Sequence, residues 1–177
     1  MYVVRLLGHF GVEIDGRRVA ESAWRHTRAA QLVKILALAA GRRMHREELI
    51  ESLWPDFDAD SGAANLRKAI LFARAALGSA ESVRRLGPMV ALLPDADVVV
   101  DAIEFEQAAA KAIRSGTGIA RVAATYTGDL LPDDRFEPWA EAARDRLRAR
   151  HLELLRAGGL WDEVVERDPT AEDAHCA

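Results

Sequence analysis

The chain has almost no thiol: its single cysteine, Cys176, has no partner for an internal disulfide, and that usage fits a reducing cytoplasm. Long apolar runs are missing as well. The longest is interrupted by Lys34 and flanked by Arg28 and Arg42, well short of the ~20 uncharged residues that a bilayer span needs. The N-terminus lacks the basic-then-apolar plan of a secretory signal. These absences predict a soluble cytoplasmic protein without a membrane partner.

Catalytic signatures are equally scarce. There is no Gly-x-Ser-x-Gly, and Arg114-Ser115-Gly116-Thr117-Gly118 lacks the lysine and the spacing of a phosphate loop. The histidines His9, His26, His45, His151 and His175 show no metal-ligand spacing, and His175-Cys176 reads as an incidental neighbour pair. Acidic pairs such as Asp133-Asp134 fall in a polar turn. The expectation is a protein that is not an enzyme, with no catalytic residues, no metal and no cofactor.

What the sequence does hold is an apolar half, enough to bury a core, and an uneven charge. The net charge is -4. Residues 1–94 carry 14 Lys+Arg against 10 Asp+Glu, whereas residues 95–177 carry 10 against 18. The halves therefore stand at +4 and -8. The basic half is the candidate to meet a polyanion.

Residues 2–14 mix β-branched and aromatic side chains with partial alternation, and Asp15-Gly16 supplies a hairpin turn, so a small antiparallel sheet is expected there. From Thr27 the period becomes helical through Ala29, Leu32, Val33, Leu36 and Ala40, with Gly41 as the stop. A shorter helix carries Leu49, Ile50, Leu53 and Trp54, has Glu47 and Glu48 in its first turn, and ends at Pro55. Trp54 continues its apolar stripe and should be buried. A third helix runs from Ser61, its expected N-cap, to Leu77, with Gly78 as the stop and Leu66, Ile70, Ala73 and Leu77 facing inward. A hairpin follows, Ser82–Leu86 and Val90–Leu93 around Gly87-Pro88.

Three helices and a hairpin are the order of a winged helix-turn-helix, whose second helix-turn-helix element enters the DNA major groove. Its inward residues leave Asn65, Arg67, Lys68, Leu71 and Arg74 on outward or flanking positions. Asn can pair with adenine, Arg with guanine and Lys with phosphate. Arg84 and Arg85 sit where a wing would reach the backbone, and Arg42, Arg43 and Arg46 lie between the first two helices.

The remainder reads as helices at 101–114, 119–126, 136–156 and 161–166, punctuated by glycines. Asp168-Pro169-Thr170 looks like the turn into another repeat helix, capped by Thr170, and the chain stops soon after it. The expected organisation is an α+β winged helix-turn-helix over 1–97, followed by an all-α, tetratricopeptide-like domain over 98–177 that ends before its repeat is complete.

The runs Arg28–Leu38, Arg46–Asp56 with its Glu-Leu-Ile-Glu-Ser-Leu-Trp-Pro-Asp block, and Ala64–Ile70 ending at Leu77-Gly78 resemble the OmpR-type winged helix of SARP-like antibiotic-pathway regulators. Val100–Glu106, Tyr126–Pro132, Trp139–Leu155 and Asp168–His175 resemble their bacterial transcriptional activator domain. The resemblance implies an activator that binds double-stranded DNA at direct repeats as side-by-side protomers, a homodimer on DNA. It implies DNA contacts from Asn65, Arg67, Lys68 and Arg74, and wing contacts from Arg84 and Arg85. It also implies a loop facing RNA polymerase, with Asp56, Phe57, Asp58 and Asp60. Leu71 and Phe72 depart from the polar or basic residues usual in that helix, and His45 replaces the usual Ser or Thr cap. The competing expectation is a winged helix and helical repeat that dock a protein or receive a signal without touching DNA.

Overall fold

A computed structural model describes residues 1–167, a mixed α/β chain. It divides into two units: Met1–Leu6 with Phe10–Val100, and Leu7–His9 with the chain from Asp101 onward.

The first unit opens with β1 (Tyr2–Arg5), β2 (Gly11–Ile14) and β3 (Arg17–Arg18), joined as antiparallel neighbours. β7 (Val98–Val100) completes that sheet by pairing parallel to β1, with Tyr2 opposite Val98 and Val4 opposite Val100. Three valines are too short a run to signal this strand, which lies just past the expected boundary at 97/98, and the first unit runs to Val100.

After a 3-10 turn at Glu21–Trp24, α1 (Thr27–Leu38) buries every residue from Ala29 to Ala37. That burial includes Lys34, whose ammonium lies 4.7 Å from the centroid of the Phe10 ring, where the ring's quadrupole compensates part of the lost hydration. α1 ends at Leu38 with Ala39 as its C-cap; Gly41, the expected stop, falls in the following 3-10 turn.

β4 (Arg43–His45) leads into α2 (Arg46–Leu53), whose first free N–H groups are met in part by His45 Nδ1, accepting from Glu47 N at 3.3 Å. Trp54 follows, 8% exposed as its place on the stripe predicts. α3 (Ala59–Leu77) starts earlier than expected, and Asp58 rather than Ser61 is its cap. Asp58 Oδ1 accepts from the N–H groups of Asp60 and Ser61 at 3.0 and 2.9 Å, and Ser61 Oγ donates to Oδ2 at 2.9 Å. An aspartate that satisfies two orphan N–H groups leaves Ser61 inside the first turn.

Leu66, Ile70, Ala73 and Leu77 are buried as their spacing requires, and Gly78 closes the helix in the left-handed conformation. α2 and α3 approach closely at Gly62, where a Cβ would stand 2.4 Å from Ile50 Cγ2. β5 (Val83–Leu86) and β6 (Met89–Leu92) form the predicted hairpin, and β4 pairs with β6 to give the antiparallel order β4-β6-β5.

The second unit is built on α4 (Asp101–Ser115), α5 (Ile119–Ala123), α6 (Pro138–Ala157) and α7 (Trp161–Arg167). α5 is shorter than expected because Tyr126 turns into the core, its ring stacked on His151 at 4.2 Å and 5.0 Å from Phe105. α6 begins at Pro138, the first helical position proline tolerates, which leaves Phe136 outside the helix and 88% exposed.

Leu7–His9 reaches this unit from the N-terminus. Leu7 N donates to Asp101 Oδ2 at 3.2 Å, Thr127 Oγ1 donates to Leu7 O at 3.1 Å, and Gly8 N donates to Asp129 O at 2.9 Å. A Cβ on Gly128 would come within 2.9 Å of Gly8 Cα, so backbone meets backbone there. Arg144, itself buried, fastens the following loop: Nε, Nη1 and Nη2 donate to the carbonyls of Leu130, Arg135 and Asp134 at 3.1, 3.3 and 3.1 Å. The turn at Asp168, the cap at Thr170, the helix expected beyond it, and Cys176 lie outside the described residues.

Candidate nucleic-acid interface

α3 presents the candidate surface. Because Leu66, Ala69, Ile70 and Ala73 point into the first unit, Arg67, Lys68 and Leu71 occupy the opposite side, and all three are exposed. Among the described residues no hydrogen bond or ion pair engages the side chains of Arg67, Lys68 or Arg85. Arg85 is exposed on β5 just before the turn. Asn65 is half-buried and shares a cavity of about 330 Å³ with Lys68.

Two of the sequence-predicted cations are already occupied. Arg74 is half-buried and its Nε donates to Val83 O at 2.8 Å, so its guanidinium ties α3 to β5. Arg84 is gripped by Asp95 and lies 3.5 Å from a Glu81 oxygen, which offsets its charge. Of the arginines between α1 and α2, Arg42 donates to the carbonyls of Leu92 and Leu93 at 3.3 and 3.2 Å. Arg43 is exposed, and Arg46 is exposed with a Glu47 oxygen 3.7 Å away.

The expected loop Asp56–Asp60 is a loop only to Asp58, since Asp60 lies in the first turn of α3; all five residues are exposed, Phe57 53% so. Its members differ in role. Asp58 is committed to capping α3, and the N–H of Ser61, then its hydroxyl, hold the Asp58 carboxyl below the ordinary aspartate value. Asp56, Phe57 and Asp60 remain open to a partner.

No protein-family profile and no curated protein sequence matches the chain. Its chemistry therefore rests on the geometry of this face.

The cavity beside Lys68 brings in residues that sequence reasoning missed. Arg25, His26, Thr27 and Arg28, at the start of α1, line it together with Asn65, Lys68 and Phe72. His26 stacks on Phe72 with ring centroids 3.5 Å apart, which explains an aromatic residue on this side of α3. The only signal was the Arg25-His26-Thr27-Arg28 run itself, whose distance in sequence from Lys68 hides their proximity. Three full cations and no carboxylate line that cavity, an arrangement suited to an anionic oxygen.

On the other flank, a groove of about 560 Å³ runs between α2, α3 and the β5–β6 hairpin, with Arg46, Arg67 and Arg85 on its rim. Taken together, the outer side of α3 offers guanidinium and ammonium donors to phosphate or base-edge acceptors. Among the described residues no group of three or more His, Cys, Asp or Glu could hold a metal, and no helix is long and apolar enough to cross a membrane.

Proposed function

We propose that the chain is a sequence-specific DNA-binding transcription regulator and not an enzyme. In this reading the first unit is a winged helix-turn-helix, α3 enters the major groove, and the β5–β6 turn reaches the adjacent backbone as a wing. The observation that carries it is the pairing of that helix–helix–hairpin order with exposed, unengaged Arg67 and Lys68 on the outer side of α3 and Arg85 beside the turn. Arg25 and Arg28 extend the cationic side beyond the residues expected from sequence.

The second unit is read as a tetratricopeptide-like helical module, since its helices pack in sequence and α4 also packs on α6. Binding as two protomers at direct repeats, with Asp56, Phe57 and Asp60 turned to RNA polymerase, would make the protein an activator. Asp58 takes no direct part in that contact, being held by the cap.

The test is a titration of wild type and an Arg67→Ala/Lys68→Ala variant against a DNA site selected from random sequence, at two salt concentrations. With about four phosphate contacts, wild-type affinity should fall roughly a hundredfold between 50 and 200 mM salt. The variant should lose about 1–3 kcal/mol if Arg67 reads a guanine, and its salt slope should drop by about one for the lost Lys68 contact. Melting curves of the two proteins should coincide.

A protein-docking module is the second reading. It is favoured by Leu71, 61% exposed in the middle of the same side of α3. Undetectable DNA binding at low salt selects it.

A further inference from the structure

The groove between α2, α3 and the β5–β6 hairpin has features that DNA contact does not require. Its volume, about 560 Å³, lies within the range of sites that enclose small organic molecules. Ile50, Trp54, Leu66, Ile70 and Val90 supply an apolar lining from three different elements. Arg67 on α3 and Arg85 on β5 have no partner among the described residues, whereas the lining carboxylates, Glu47, Glu51 and Asp60, belong to α2 and the first turn of α3. Arg46 is offset by its neighbour Glu47 at 3.7 Å.

We propose that this groove binds a small amphipathic carboxylate. Its apolar body lies against Trp54 and Ile50, and its single anionic head is held by Arg67 and Arg85. Two guanidinium groups match one carboxylate because each offers parallel N–H donors, and a charge-assisted pair beside an apolar wall is stronger than one in open water. A cationic head at that position is repelled by the same two arginines. A wholly apolar one leaves their charges unmatched. The site does not depend on the DNA reading, but one consequence rests on it: Arg67 and Arg85 cannot serve the carboxylate and a nucleic acid together, so ligand and DNA exclude one another.

The probe is decanoate, kept below its micelle concentration and titrated into the full ¹⁵N-labelled chain, with decylammonium as the charge-reversed control. Decanoate should produce saturable shifts centred on the amides of Ile50, Trp54, Arg67, Ile70, Arg85 and Val90. The Arg67→Gln/Arg85→Gln variant should weaken it by about tenfold or more, the scale of losing charge-assisted hydrogen bonds. Ala63→Leu, which narrows the groove and keeps both arginines, should weaken it as well, and decylammonium should bind at least about tenfold less tightly than decanoate.

Shifts that do not saturate, equal binding of the two ions, or unchanged decanoate affinity in the glutamine variant would overturn the proposal. DNA binding measured on the same samples separates the two readings. A chain that binds decanoate and no DNA keeps the site and loses the regulator; one that binds DNA and not decanoate does the reverse.

Discussion

α3 in the first unit and α6 in the second are both long, arginine-bearing helices, and they use their cations in opposite ways. On α6, Arg144 bonds three backbone carbonyls, and Arg146, Arg148 and Arg150 meet Glu106, Asp129 and Glu153 at 2.8, 2.5 and 2.6 Å. On α3, Arg74 alone is taken up by the fold, while Arg67 and Lys68 are left open. The difference follows from the surroundings. The second half of the chain has eight more carboxylates than cations and the first half four fewer, so an arginine on α6 finds an acid that one on α3 does not. A cation that the fold does not use is available to something else.

That contrast concerns charge only if both units stand on apolar cores of similar worth. Trp54→Ala and Phe105→Ala, one in each unit, should each cost about 3–5 kcal/mol in urea denaturation, since both side chains are buried. An unchanged Trp54→Ala midpoint would mean that the tryptophan does not anchor α2, and the comparison would lose its first half.

The contrast sharpens with one substitution on each helix. Arg144→Leu strands the carbonyls of Leu130, Asp134 and Arg135 and should cost about 2–4 kcal/mol; Arg67→Leu should stay within about 0.5 kcal/mol. Equal losses would show that Arg67 is a structural residue after all. A smaller effect tests how α3 is seated. Gly62→Ala forces a Cβ against Ile50 and should cost about 1–3 kcal/mol, with recovery when Ile50→Ala is added, read as a coupling energy in a double-mutant cycle.

The smallest effect is at the α3 cap. Asp58 has a carboxyl value lowered by the N–H and hydroxyl of Ser61, so it binds protons less readily folded than unfolded. Its contribution is complete above the unfolded value of about 3.9 and disappears as the pH falls through the lower folded value. Asp58→Asn keeps a capping oxygen without the charge. Its melting temperature should lie slightly below wild type at neutral pH and converge with it in acid, as checked by thermal melts from neutral to acidic pH.

The parts of this arrangement visible in the sequence were those fixed by local period. Leu66, Ile70, Ala73 and Leu77 announce the buried side of α3 because a helix repeats every 3.6 residues, and Arg67 and Lys68 follow as its outward neighbours. Other features depend on residues far away in sequence. A helical period gives Arg74 a direction but does not reveal that Val83 O waits there, nor that Asp95 and Glu81 close on Arg84. Three valines at 98–100 are too few to show alternation, and their partner strand lies near residue 2. The α3 cap differs from the expected one for a local reason: Asp58 and Ser61 are both good caps, and only backbone geometry decides which one reaches the free N–H groups.

The passage of Leu7–His9 into the second unit sets an order of events during synthesis. Asp101, Thr127 and Asp129, which hold these residues, are added to the chain 94 to about 120 residues after them. At ribosomal speeds this is a wait of roughly 5–25 s. β1 waits nearly as long for β7. The nascent β1 therefore spends seconds with one edge unpaired, and Leu7 without the groups that hold its backbone, the period in which a chaperone or a neighbouring nascent chain has access to this segment.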